Sequence, residues 1–95
     1  VIYKMEMAES VMLDFLLDKF VKAVIDYDTD EELSEIDKRI VSFISENYKS
    51  AYHCHAKGKS EQEKLYLRLL LVTDYICGMT DSYAKRLYQE MNAII

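Results

Sequence analysis

His53, Cys54 and His55 stand side by side, the densest group of soft metal ligands in this 95-residue chain. Imidazole and thiolate at that density resemble a small metal tract. On a helix, however, side chains two residues apart point about 200° away from one another, so His53 and His55 do not close on one ion. No third or fourth ligand lies near, and a solvated helix end is the simpler account. Four cations follow, Lys57, Lys59, Lys64 and Arg68, and could form a basic edge attracting phosphate or single-stranded DNA; a solvated face explains them more simply. Asp74 lies in the apolar run LYLRLLLVTDYICGM, where an unpaired carboxylate is costly. It is expected to find Arg68, Thr73 or a group on another segment. There is no Ser-His-Asp set, no Cys-His dyad with an orienting group and no glycine-rich phosphate loop, so no residue here is assigned a catalytic or metal-binding role.

The elements that carry these residues are helices. With no proline, two glycines and 51% hydrophobic residues, the chain has few places to turn and enough apolar surface to fold. Periodicity predicts an all-α bundle of about four helices in a single domain spanning residues 1–95. The first, over about residues 1–27, places Met5, Ala8, Met12, Phe15, Leu16, Phe20, Ala23, Val24 and Tyr27 on its core face. Leu13, Leu17, Val21 and Ile25 form a second stripe, so this helix is expected to meet neighbours on two sides.

Thr29 and Glu32 have the spacing of a capping box, which would start the second helix in the acidic stretch DYDTDEE. Its core face would run Leu33, Ile36, Ile40, Phe43, Ile44, Tyr48, Ala51 and Tyr52 and end near Gly58, a length that admits a break around Ser45 to Tyr48. Ser60 and Glu63 form another capping box. The third helix that follows is apolar almost all round and belongs in the middle of the bundle. The last would bury Ala84, Leu87, Tyr88, Met91 and Ile94 or Ile95.

Charge narrows the partners. The net charge is −5, with five Lys/Arg against twelve Asp/Glu in residues 1–48, a poor design for general nucleic-acid binding. Cys54 and Cys77 lack metal-ligand spacing and are expected as reduced thiols. The chain opens on Val1 and carries neither a leader-like segment nor a membrane-length apolar run, which suggests a piece of a longer cytoplasmic protein.

Between the last two helices lies Gly78-Met79-Thr80-Asp81. A glycine there is the natural left-handed stop, Met79 can tuck into the core, and Thr80 or Asp81 can cap the next helix. Tyr75, Tyr83 and Tyr88 fall at core spacing or beside it, which favours packing with a surface hydroxyl over stacking on a base.

Thr73-Asp74-Tyr75-Ile76-Cys77-Gly78-Met79-Thr80-Asp81-Ser82-Tyr83-Ala84, followed by Leu87-Tyr88, resembles the C-terminal signature of the dGTP triphosphohydrolases of the HD superfamily. Lys4 to Phe20, with Met7-Ala8-Glu9, is similar more loosely to the helix preceding it. The resemblance implies the helical C-terminal, phosphohydrolase-associated domain of an enzyme that hydrolyses dGTP to deoxyguanosine and triphosphate. The family's metal ligands are a His, a His-Asp dipeptide and a later Asp, and no His-Asp dipeptide occurs here. The catalytic HD core, its divalent metal (Mg or Mn) and most of the nucleotide contacts are therefore expected upstream of Val1, with no cofactor in this piece. The domain would pack on that core and support homo-oligomer contacts, and Asp74 could touch the nucleotide site or a neighbouring subunit. Ser82 stands where many members look basic, which argues against a phosphate grip at this corner. The rival reading is a free-standing helical protein-interaction module.

Overall fold

The computed structural model describes the backbone of residues 2–94 and the side chains of residues 10–93. Five helices follow in order: α1 (Ile2–Ile25), α2 (Glu35–Phe43), α3 (Glu46–Ala56), α4 (Glu61–Cys77) and α5 (Asp81–Ile94). The all-α class is as expected, with one helix more than the about four the periodicity suggested. The core positions expected for Met5, Ala8, Ile94 and Ile95 lie outside the described side chains.

On α1, Leu16, Phe20, Ala23 and Val24 are fully buried and Phe15 packs half-buried against the core, as does Tyr27 in the turn after the helix. This face meets α2, α4 and α5, and α3 packs on α4. Helix α4 is central as expected, since Tyr75 alone reaches Phe20 of α1, Phe43 of α2, Tyr48 of α3 and Tyr83 of α5. Its outer side is nevertheless bare, with Tyr66 and Leu70 facing solvent at 63% and 39% exposure. The second stripe of α1 is likewise uncovered, since Leu13, Leu17 and Ile25 are exposed and only Val21 leans on the core.

Helix α2 does not start at Thr29. The Thr29 hydroxyl donates to the Asp26 carbonyl at 2.7 Å and accepts the Glu31 amide at 3.2 Å, so it closes a turn. Its neighbour Asp28 holds a positive φ of 58° within that turn. Ser34 is the cap instead, its Oγ accepting the Asp37 amide at 3.1 Å, with Glu35 and Asp37 at the positive end of the helix.

The long second helix divides at Ile44 and Ser45, at the start of the range in which a break was expected. Ile44 leaves helical geometry at φ −70°, ψ 131°, and this turns its side chain into the core at 2% exposure. The buried faces differ in part from the expected ones: Ile40 and Tyr52 are buried as expected, Val41 and Ala56 join them, and Ile36 and Ala51 face solvent. Gly58 follows α3 at φ +75°, where a Cβ is strained. Helix α4 then begins with the anticipated reciprocal cap: Ser60 Oγ accepts the Glu63 amide at 3.2 Å while Glu63 Oε1 accepts the Ser60 amide at 3.5 Å.

Candidate functional site

The α4–α5 corner is built around a buried phenol. Tyr75 is 4% exposed, and its hydroxyl donates to the carbonyl oxygen of Phe43 at 2.8 Å, which ties α4 to the end of α2. That uses its single proton, so at 2.9 Å the Tyr83 hydroxyl donates to Tyr75. Burial first, then the hydrogen bond and charge of Tyr83 and the charge of Tyr48, push the Tyr75 phenol above its ordinary value of 10.0. Phe20 and Tyr48 meet the Tyr75 ring edge-on, with centroids at 5.6 and 5.7 Å. Tyr88 sits half-buried with its ring 5.0 Å from that of Phe15.

Gly78 corrects an expectation. It is right-handed, at φ −83°, ψ −4°, and its amide donates to the Asp74 carbonyl at 3.0 Å. Positive φ is not the reason for glycine. A Cβ at this position would lie 3.1 Å from the Tyr48 hydroxyl oxygen, so the position is one of close approach between α3 and the end of α4. Thr80, rather than Asp81, caps α5: its Oγ1 accepts the Tyr83 amide at 3.2 Å. Asp81 is the exposed first residue of the helix, and Met79 is half-buried against the core.

Asp74 is exposed and enters none of the ion pairs among the described residues. Its expected partner Arg68 is engaged elsewhere, and this also removes Arg68 from the basic edge. At 2% exposure, Arg68 donates through Nε to the Val24 carbonyl at 2.7 Å, through Nη2 to the Ile25 carbonyl at 3.1 Å and through Nη1 to the Tyr52 hydroxyl at 3.2 Å. Two carbonyls at the end of α1 thus accept from α4, that of Val24 in addition to the Tyr27 amide at 3.2 Å, and the cation sits at the negative end of the helix dipole. Tyr52 in turn donates to Asp28 Oδ2 at 2.9 Å. A lone arginine inside an apolar run was the visible signal, since such a cation must find acceptors. Its targets were not visible, because they are backbone atoms more than forty residues away.

The remaining cations do not converge. Lys59 approaches Glu63 at 4.0 Å, Lys64 approaches Glu61 at 3.7 Å, and Lys57 is exposed after α3. His53 Nε2 shares a 2.9 Å hydrogen bond with the Tyr27 hydroxyl. Among the described residues no three His, Cys, Asp or Glu side chains gather as a metal site would require. Cys54 and Cys77 are both free and exposed.

Beside the corner, α1, α4 and α5 enclose an open groove of about 700 Å³. Met12, Leu13, Leu17, Ile76, Met79 and Ala84 give it an apolar lining, and Asp81 and Lys85 stand at α5. Its volume falls in the range of binding clefts, about 300–1,000 Å³. A chiefly apolar lining of this kind suits binding.

The family model for the phosphohydrolase-associated domain matches residues 4–90. The chain belongs to this family. The matched range of this phosphohydrolase-associated domain contains the Arg68 contacts, the tyrosine corner and the groove lining. Two relatives, from Listeria monocytogenes and Listeria innocua, are each called deoxyguanosinetriphosphate triphosphohydrolase-like protein. Each is 53% identical over 95 residues, covering 98% of this chain and 20% of the relative. The chain therefore spans about a fifth of the length of the curated relatives it matches. No solved structure matches it. Among the described residues no helix is long and apolar enough to cross a membrane.

Proposed function

We propose that this chain is the helical C-terminal part of a cytoplasmic dGTP triphosphohydrolase-like enzyme, in which it completes the folded subunit and carries surface for assembly. The observation that carries the reading is likeness along nearly the whole chain, at 53% identity, to two proteins called triphosphohydrolase-like, together with the fifth of their length it represents. In the parent, dGTP and water would give deoxyguanosine and triphosphate.

The described residues of this chain do not fit the divalent ion such a reaction uses. His53 is engaged with Tyr27, His55 stands two residues on along the same helix, and among the described residues no carboxylate cluster joins them. The Mg or Mn, the attacking water and the nucleotide contacts are accordingly assigned to the remainder of the parent, and this domain is assigned support.

Triphosphate release from dGTP tests the reading. The longer polypeptide should release it with millimolar Mg²⁺ or Mn²⁺, and the 95-residue chain alone should not. Turnover that stays with the isolated chain through purification, or none in the active-folded parent, would sink the proposal.

A further inference from the structure

The groove and the exposed stripe of α1 form one surface that no other described residue covers. Helices α1 and α4 run antiparallel: Arg68 reaches the end of α1, while Thr73 and Cys77 share the groove with Leu17 and Leu13. Leu13 and Leu17, 41% and 38% exposed and one turn apart, form a ridge over a floor of Ile76 and Met79. An apolar surface of this continuity on a small domain marks a contact site.

We infer that this groove seats an amphipathic helix contributed by the remainder of the same polypeptide, an inference that rests on the reading of the chain as part of a longer enzyme. The matched segment makes up only 20% of each relative, so a large tethered length is at hand. A tethered segment meets the groove at an effective concentration on the order of millimolar, whereas a second copy must be captured from dilute solution. The shape suits a helix, because ridges spaced by four residues take the side chains of a facing helix between them, and Met12 and Met79 can adjust to it. Opposite charges four residues apart at the rim, Asp81 and Lys85, can pair with one basic and one acidic residue on the incoming helix.

Two native thiols allow the test in the full-length protein. Cys77 lines the groove, and Cys54 stands on the exposed side of α3. Reaction with N-ethylmaleimide, followed by mass spectrometry of the two cysteine peptides, should show Cys77 reacting at least tenfold more slowly than in the urea-unfolded protein. That protection should persist on dilution to monomer. Leu17→Glu should raise the Cys77 rate about tenfold without changing that of Cys54; Leu13→Glu, one turn away, repeats the test should Leu17→Glu fail to fold. A Cys77 that reacts at its unfolded rate overturns the proposal, and so does protection that both variants leave intact. Protection lost on dilution assigns the groove to a second copy and overturns it as well. Protection in a protein inactive on dGTP counts against the proposed reaction and leaves the docking standing.

Discussion

Arg68 Nε lies 2.7 Å from the carbonyl oxygen of Val24, so the end of α1 is capped by a side chain from the middle of α4. Helix C-termini leave carbonyls short of intrahelical partners, and the Val24 carbonyl that Arg68 reaches is buried away from water. Arg68→Met should therefore destabilise the fold by about 2–4 kcal/mol. Arg68→Lys should recover only part, because a single ammonium cannot span three acceptors that the planar guanidinium reaches at once. Denaturant midpoints of both variants check this; a silent Arg68→Met would show that water serves those carbonyls as well.

The two glycines should respond in opposite ways. Gly58 has open space around it but a φ of +75°, so Gly58→Ala should cost about 1 kcal/mol through backbone strain alone. Gly78 has ordinary φ, and a Cβ there would lie 3.1 Å from the far end of Tyr48 and 3.2 Å from the Asp74 carbonyl, so Gly78→Ala should stay within about 0.5 kcal/mol of the parent, since reduced freedom of the unfolded chain offsets the contacts. In a Tyr48→Phe background the same change should become stabilising. A penalty that persists there would show that the helix end, and not the hydroxyl, demands glycine.

At the start of α5 the cap is resolved to one residue. Thr80→Ala should cost about 1 kcal/mol, because it frees the Tyr83 amide. Asp81→Ala should cost a few tenths of a kcal/mol, through the helix dipole alone. Ser82→Ala should be nearly silent, and thermal unfolding of the three would expose any other order.

Alkaline pH should loosen the corner. The Tyr75 phenol is raised above 10.0 in the folded state, so the unfolded chain gives up its proton first. Stability is thus fully present below pH 10.0 and falls as the pH climbs through the folded value. Tyr52 and Tyr27 are also raised, chiefly by burial, and add to the same slope. Tyr75→Phe should flatten the decline in unfolding midpoint above pH 10, and an unchanged slope would assign the effect to other groups.

Much of this architecture was legible in the residues, and the failures share a cause. Ser60 with Glu63 announced the start of α4, and Leu16, Phe20, Val24, Leu87 and Met91 announced their buried faces, because caps and periodicity are local rules. Thr29 obeyed the same local rule and still lost to Ser34, since the chain needs residues 26–34 to turn away from α1 before it can start a helix. Ile44 breaks its helix for the sake of the core, which no window of neighbouring residues reports. At the candidate site, Thr80 could be read as one of two caps, whereas the partners of Arg68 and the hydroxyl beside Gly78 depend on contacts across the bundle.

The break at Ile44 has a dynamic consequence. The first amides of α3 to find carbonyls, Tyr48 and Lys49, take that of Ser45, so their bonds do not depend on α2. Helix α2 rests chiefly on α1 and meets α4 where Tyr75 binds the Phe43 carbonyl, while α3 rests on α4, so the two lean on different helices for most of their length. Fluctuations that lift α2 away need not propagate into α3, and amide hydrogens on either side of Ser45 should exchange with solvent deuterium on two different clocks.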